Sequence, residues 1–493
     1  MLASPPFPSQ APAATQDDIT AVARALADAY PARARHPRRL AEERAMELSM
    51  RDPRLRAALF RLVDVAPACR DADDLAQHLV ALSADVEHPP APLAAALRAS
   101  RSDRGRRAVG RVSGRAVHAM AHRFIVGATP RAAAPVLARL WAGGLCTSVD
   151  LLGEATVTQP EADRYAERCL EVLDTLTEMS RRWPPRAPLE ADSAGPLARV
   201  NLSAKVSALT PLVRANAPEL GHEDAGRRLR ALLRRARELG AHVHIDMESM
   251  DSREMVLGLV LAILSEDEFR RGPSAGLVLQ AYLTDTADTL DEVLDWTSRI
   301  DREPPLTIRL VKGAYWDHEL VDARQKGWRP PVFSVKADSD RAFEALTRRL
   351  LDARPAVRVA IASHNLRSVA HAIAENRARG GRDADLELQV LRGLGDDLGE
   401  ALAAQGMRGR VYCPIGDLVA GMAYLVRRLL YNRPNDSFLA ARASGHDLDA
   451  LLAAPRTASR TSRCSSCAVP ASARRSPRRS ASWICGCRCR CRC

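Results

Sequence analysis

The chain reads as an α/β protein, a (β/α)8 TIM-type barrel preceded by an all-helical arm. Three observations predict this. Eight short runs rich in Val, Ile and Leu recur between residues 147 and 416, stretches with apolar residues at helical spacing separate them, and polar residues finish nearly every run. Eight strand–helix repeats over about 270 residues match the length and rhythm of a barrel. A doubly wound sheet is the main rival, but it usually needs fewer strands per domain.

The elements follow in order. From Asp17 to about Leu140 the chain is rich in Ala, Leu and Arg at helical spacing, as in Leu55, Ala58, Leu59 and Leu62, with breaks expected at Pro53 and near Ser102–Gly114. Strands are expected at Thr147–Leu152, Arg199–Val206, His242–Met247, Gly276–Leu283, Leu306–Gly313, Val357–His364, Asp385–Gly393 and Arg410–Gly416, with helices such as Glu223–Leu239 and Ala287–Ile300 between them. The expected domains are a helical arm over 1–140 with its first ~15 residues disordered, a barrel over 141–440 and a barrel-end segment over 441–454. Residues 455–493 form a disordered, non-globular tail without apolar period.

Composition narrows the function. Hydrophobic residues at 46% and charged residues at 27% are ordinary for a soluble globular protein. The net charge of +12 belongs to the tail, whose ten Arg have no acidic counterpart; the rest holds 62 basic against 60 acidic residues. No nucleic-acid partner is therefore expected. Seven of the 11 Cys also lie in the tail, and Cys69, Cys146, Cys169 and Cys413 are scattered without pairing or ligand spacing, which suits a reducing compartment. No signal peptide opens the chain and no apolar run approaches a bilayer span, so a cytoplasmic location is expected. There are only four Lys, at positions 205, 312, 326 and 336; in so Arg-rich a chain each marks a place where a compact cation is used instead of a planar fork.

Catalytic groups of such barrels sit at the C-terminal ends of strands. Lys205 closes the second run. His242, His244 and Asp246 alternate on the third, so all three face one way, with Met247 just beyond. Gln280 lies on the fourth run, Arg309 and Lys312 around Gly313 on the fifth, Ser363 and His364 on the sixth and Tyr412 on the eighth. In the following helix Tyr424, Arg427, Arg428 and Tyr431 fall at i, i+3, i+4 and i+7, and paired guanidiniums flanked by phenols suit a carboxylate. His-x-His on a strand also resembles amidohydrolase metal ligands, but it lies on the third run and only His364 follows, so no metal is expected. Gly393-Leu-Gly-Asp-Asp-Leu-Gly399 is a weak dinucleotide loop and at most a phosphate cradle at a helix start.

The strings Val-Asp-Leu-Leu-Gly-Glu-Ala (149–155), Ala-Lys-Val-Ser-Ala-Leu (204–209), Ile-Asp-Met-Glu-Ser (245–249), Arg-Leu-Val-Lys-Gly-Ala-Tyr-Trp-Asp (309–317), Ser-His-Asn (363–365) and Ala-Tyr-Leu-Val-Arg-Arg-Leu-Leu (423–430) resemble the proline dehydrogenase family. More narrowly, they resemble the proline dehydrogenase half of bacterial bifunctional proline utilisation proteins. The resemblance covers roughly 124–440 in the family's order. It implies a distorted (β/α)8 barrel that binds FAD without a Rossmann domain. The implied reaction oxidises L-proline to 1-pyrroline-5-carboxylate by hydride transfer from C5 to flavin N5. Electrons then pass to a membrane quinone, with peripheral contact to the inner face of the membrane.

By motif position the resemblance places Lys205, Arg427 and Arg428 on the proline carboxylate, Tyr412 and Tyr424 along the ring, and Asp246 beside flavin and substrate. Arg309 is implied near flavin N5, and Met247, Gln280, Lys312, Gly313, Ala314, Trp316, Ser363 and His364 as FAD contacts. Glu154 is implied as a gate paired with Arg427. The chain departs from the family at Tyr431, where Glu is usual, and it carries neither an evident DNA-binding segment at its start nor an aldehyde dehydrogenase half, so only the first step is expected of it. Two alternatives stay open. One is a metal-dependent amidohydrolase-like barrel; the other is an FAD-binding homologue without turnover.

Overall fold

A computed structural model describes residues 12–31, 52–153, 156–417, 421 and 451–455. Eight parallel strands close into a barrel: β1 (Leu145–Leu151), β2 (Asn201–Lys205), β3 (His242–Asp246), β4 (Ser274–Gln280), β5 (Leu306–Val311), β6 (Val357–Ala362), β7 (Leu386–Leu391) and β8 (Gly409–Ile415). Each pairs with its neighbour in sequence, and β8 returns to β1 through Leu145↔Gly409 to Leu151↔Ile415. All eight lie within a few residues of the predicted runs. The (β/α)8 prediction holds, and the doubly wound alternative falls with the closure of the sheet.

The helical part begins with α1 (Gln16–Asp28), followed by α2 (Pro53–Val65), α3 (Ala72–Leu82), α4 (Ala91–Ala99), α5 (Asp103–Phe124) and α6 (Pro130–Ala142). Pro53 marks a boundary as expected: Asp52 caps Arg54 N at 2.8 Å, and proline is tolerated where no amide donor is needed. The break expected near Ser102–Gly114 falls at its start, between Ala99 and Asp103, and does not extend to Gly114. Ser102 caps α5, which runs unbroken through Gly105, Gly110 and Gly114. At Gly110 a Cβ would stand 1.6 Å from the Ala72 carbonyl oxygen, so this glycine serves the close approach of α3 rather than a turn.

Around the barrel stand α7 (Gln159–Ser180), α8 (Pro218–Leu239), α9 (Met250–Leu264), α10 (Thr286–Arg299), α11 (Trp316–Lys326), α12 (Lys336–Asp352), α13 (Leu366–Ala378) and α14 (Asp396–Ala404). Their inner faces, including Leu173, Leu229, Val256, Leu290, Phe343 and Ile373, share one apolar core with the outward residues of the strands. Ile19, Ala23, Leu26 and Ala27 of α1 belong to that core too. Helix α1 packs along α13, where Ala14 N donates to Glu375 Oε2 at 3.3 Å, Gln16 Nε2 to the Leu452 carbonyl at 3.0 Å, and Arg367 to both Gln16 Oε1 and the Leu452 carbonyl.

The barrel interior is polar. At its base Arg410 binds both oxygens of Glu387 at 2.8 and 2.9 Å, while Arg358 and Arg408 converge on Asp192. Higher up lie Ser148, Ser203 and His244, all fully buried. Gly276 faces His244, and a Cβ there would stand 2.4 Å from the imidazole, so the glycine makes room for the ring. No helix among the described residues is long and apolar enough to cross a membrane, and the four described cysteines are free.

Candidate active site

Alternation along the strands aims Asp150, Lys205, Asp246, Arg309 and Tyr412 into the C-terminal mouth. Asp246 is the hub. Its Oδ1 accepts from Arg309 Nη1 at 2.8 Å and Ser203 Oγ at 2.8 Å, and its Oδ2 from the Tyr412 hydroxyl at 2.7 Å. Lys205 Nζ lies 3.7 Å from Oδ2 and donates to Asp150. The Arg309 guanidinium also reaches Ser203 Oγ at 3.2 Å and Ser148 Oγ at 3.4 Å, and it stacks 5.4 Å from the Tyr412 ring centroid.

Burial alone would raise the Asp246 carboxyl, but the charges of Lys205 and Arg309 and the donors Tyr412 and Ser203 outweigh it and hold it below the usual carboxylate range. Asp150 goes the other way: burial pushes its carboxyl up despite Lys205, and Asp246 adds to the rise. Burial raises the Tyr412 phenol well above its ordinary value, with Asp150 and Asp246 contributing, so it remains a donor.

The remaining predicted residues rim the same end of the barrel. Met247 follows Asp246 and is buried beside Gln280, whose Nε2 donates to the Glu248 carbonyl at 3.0 Å. Lys312 and Lys336 both grip Asp340, at 2.6 and 3.0 Å. Gly313 has φ of 132°, and a Cβ there would stand 2.0 Å from the Tyr282 ring, so the turn carrying Ala314 is closed to side chains at that point. Trp316 spends its indole N–H on the Phe333 carbonyl at 2.8 Å. Ser363 Oγ accepts from Asn365 N at 3.1 Å, and His364 Nε2 accepts from Leu391 N at 2.8 Å. Glu154, Tyr424, Arg427, Arg428 and Tyr431 lie outside the described residues.

Sequence reasoning missed Asp150, Ser148 and Ser203. Their signal was parity: Asp150 and Ser203 alternate with apolar neighbours, and Ser148 lies two residues before Asp150, all in register with Lys205 and Asp246.

The histidine pair does not offer a metal site. His244 Nε2–H donates to the Leu277 carbonyl at 3.1 Å, so its Nδ1 accepts from His242 Nε2–H at 3.2 Å, and His242 Nδ1 accepts from Ser274 Oγ at 2.8 Å. All four ring nitrogens are thus used internally, and burial pushes His242 down to about 3. Among the described residues the ligand-like group is Cys69, Asp74 and His78, in the helical part. The glycine loop after β7 is likewise filled from within, since Gly393 N donates to Asp396 Oδ1 at 3.0 Å and a carboxylate stands where a phosphate would bind.

Comparison with known proteins agrees with this arrangement. A family profile described as proline dehydrogenase matches residues 133–441, and one described as the proline utilization A N-terminal domain matches 16–124, which covers the arm. The bifunctional protein PutA of Escherichia coli (strain K12) is 31% identical over 70% of this chain and 26% of its own length. Proline dehydrogenase 1 of Bacillus subtilis subsp. natto is 28% identical over 65% of this chain and 89% of its own. The crystal structure of proline utilization A from Bdellovibrio bacteriovorus inactivated by N-propargylglycine superposes with a TM-score of 0.80 at 30% identity, covering 89% of this chain and 44% of that one. The chain therefore spans about a quarter of the length of the PutA relative from Escherichia coli. With more than half of its residues inside the matching profile, the chain belongs to the proline dehydrogenase family.

Proposed function

We propose that the chain oxidises L-proline to 1-pyrroline-5-carboxylate with FAD as cofactor and a quinone as the final acceptor. The observation that carries this reading is the Asp246 hub, which gathers two cations and a phenol at the mouth of a family barrel. Buried and lined by charges of both signs, it suits a small zwitterion. Arg309 supports the cofactor: its Nε is buried without a hydrogen-bond partner among the described residues, which fits an acceptor atom such as a flavin ring nitrogen. Met247, Gln280, Lys312, Gly313, Ala314, Trp316, Ser363 and His364 would hold the rest of FAD along the ends of β3 to β6. When bound, FAD supplies a hydride acceptor for proline C5 and a route for electrons to the quinone.

The protein's own part is binding and orientation. Lys205, with Arg427 and Arg428, would fix the carboxylate, and fixing it at several points sets which ring carbon faces the cofactor. Tyr412 and Tyr424 would wall the ring, and Glu154 would close over it by pairing with Arg427. Asp246 would sit beside the substrate and keep Arg309 and Tyr412 in place. The proline nitrogen must be neutral as its lone pair forms the imine, so its proton leaves beforehand to water or a nearby base. Quinone reduction would bring the protein to the membrane surface as a peripheral visitor.

An absorption spectrum of the purified protein together with proline-dependent reduction of an artificial acceptor tests this reading. Flavin bands and turnover are expected. Flavin bands without turnover would leave an inactive homologue, and the lack of both would overturn the proposal.

A further inference from the structure

We infer that Asp150 is a positioning residue, holding the Lys205 ammonium at the barrel mouth, away from Asp246 and free to meet the substrate carboxylate. The inference rests on the proposed function above and deepens its account of the binding site. Asp150 lies on β1 with its side chain 1% exposed, and Lys205 Nζ donates to it. Asp246, across the mouth, is 3.7 Å from the same Nζ and already has three closer donors in Arg309, Ser203 and Tyr412. Lys205 is thus shared unequally between two carboxylates. Without the nearer one, the strongest remaining attraction would draw the ammonium onto Asp246 Oδ2. That move would withdraw it from the substrate and disturb the partner of Arg309 at once.

The geometry leaves little slack. Lys205 closes β2 and its backbone N–H donates to the Tyr165 hydroxyl at 3.4 Å, so the side chain starts from a fixed point. Ser148, two residues before Asp150 on the same inward face, donates to Asn201 Oδ1 at 2.7 Å and ties β1 to β2 one layer below. The groups facing Lys205 are Asp150, Asp246 and Glu248 from β1 and the end of β3, and Tyr165 and Cys169 from α7. Burial would lower the Lys205 pKa, but Asp150 and then Asp246 outweigh it and keep the amine charged well above its usual range. Removing Asp150 removes the larger of these supports, so Lys205 would lose its proton at lower pH.

The test is Asp150→Asn, measured as proline kcat and KM across pH, with the inhibition constant of cyclopentanecarboxylate, which offers the carboxylate without the ring nitrogen. Proline KM and that inhibition constant should both rise about tenfold or more, with a smaller change in kcat. The alkaline fall of 1/KM should begin at lower pH than in the parent. A parent-like KM and pH profile would overturn the inference.

Because the variant leaves a buried ammonium short of a partner, a second comparison guards against loss of fold. Asp150→Asn combined with Lys205→Met removes both members of the pair, a change that buried ion pairs tolerate when packing is kept. If Asp150 acts through Lys205, this double variant should match Lys205→Met alone in KM. A further tenfold rise in the double variant would show that Asp150 acts on something else. A parent that neither binds flavin nor oxidises proline would overturn the proposed function instead, and this inference with it.

Discussion

Replacing Arg309 with Lys separates charge from shape at the mouth. Arg309 Nη1 donates to Asp246 at 2.8 Å and to Ser203 at 3.2 Å, Nη2 reaches Ser148 at 3.4 Å, and the guanidinium plane lies against the Tyr412 ring. An ammonium can still face Asp246, so the charge balance of the hub survives. It cannot span the Ser148 and Ser203 hydroxyls together, and it has no Nε to offer a cofactor. One charge-assisted hydrogen bond lost in a desolvated site costs about 1.5–3 kcal/mol. At about 1.4 kcal/mol per decade this is roughly a ten- to hundredfold fall in kcat/KM. The assay is steady-state proline oxidation with an artificial acceptor, read beside the flavin-to-protein ratio and a thermal melt. Lower kcat/KM with a melting temperature near the parent's is the expected pattern. A variant with parent-like kcat/KM would refute the reasoning, because the planar fork would then have no catalytic use.

Tyr412→Phe should raise the Asp246 pKa by removing a 2.7 Å donor to its Oδ2. Asp246 is depressed in the folded chain, so its network is intact above the ordinary carboxylate range and is lost as pH falls through the depressed value. Without the phenol that loss starts at higher pH, and the acid limb of kcat/KM should move up; an unmoved limb would separate Tyr412 from Asp246. Glu387→Gln should leave the buried Arg410 uncompensated at a cost of roughly 3–5 kcal/mol, seen by calorimetry as a Tm lower by several degrees, and a parent-like melt would count against it. Arg428→Lys, taken from the sequence motif, should raise proline KM about tenfold while the flavin ratio stays near the parent's, and an unchanged KM would make Arg428 a solvated cation.

The strands and most of the mouth were legible because parallel strands buried on both faces usually read as unbroken apolar runs. Here Asn201, Ser203 and Lys205, and His242, His244 and Asp246, interrupt them at every second residue, which betrays a polar interior. Lys205, Asp246, Arg309 and Tyr412 were all named from such positions, and the fold brings them together. Asp150 shares that parity but was read only as part of a family string. The partners of Glu387 and Asp192 were not legible, since they depend on which strands meet at the base and the chain offers many arginines to choose from. The continuity of α5 was lost because a glycine that breaks a helix and one that lets two helices touch look the same in one sequence.

The docking of α1 on α13 changes where the minimal folded unit begins. In chain order the unit opens with α1, leaves for the helices between residues 52 and 124, and only then returns to build the cylinder. Topologically those helices are an insertion, and α1 is the barrel's own first piece. A chain trimmed to start at β1 would strip Ile19, Ala23, Leu26 and Ala27 from the shared core and deprive Arg367 of Gln16. Excision of the inserted helices with α1 kept in place, by a link from α1 to Phe124 that preserves the pairing of Val126 and Gly127 with β8, is the truncation this architecture should tolerate.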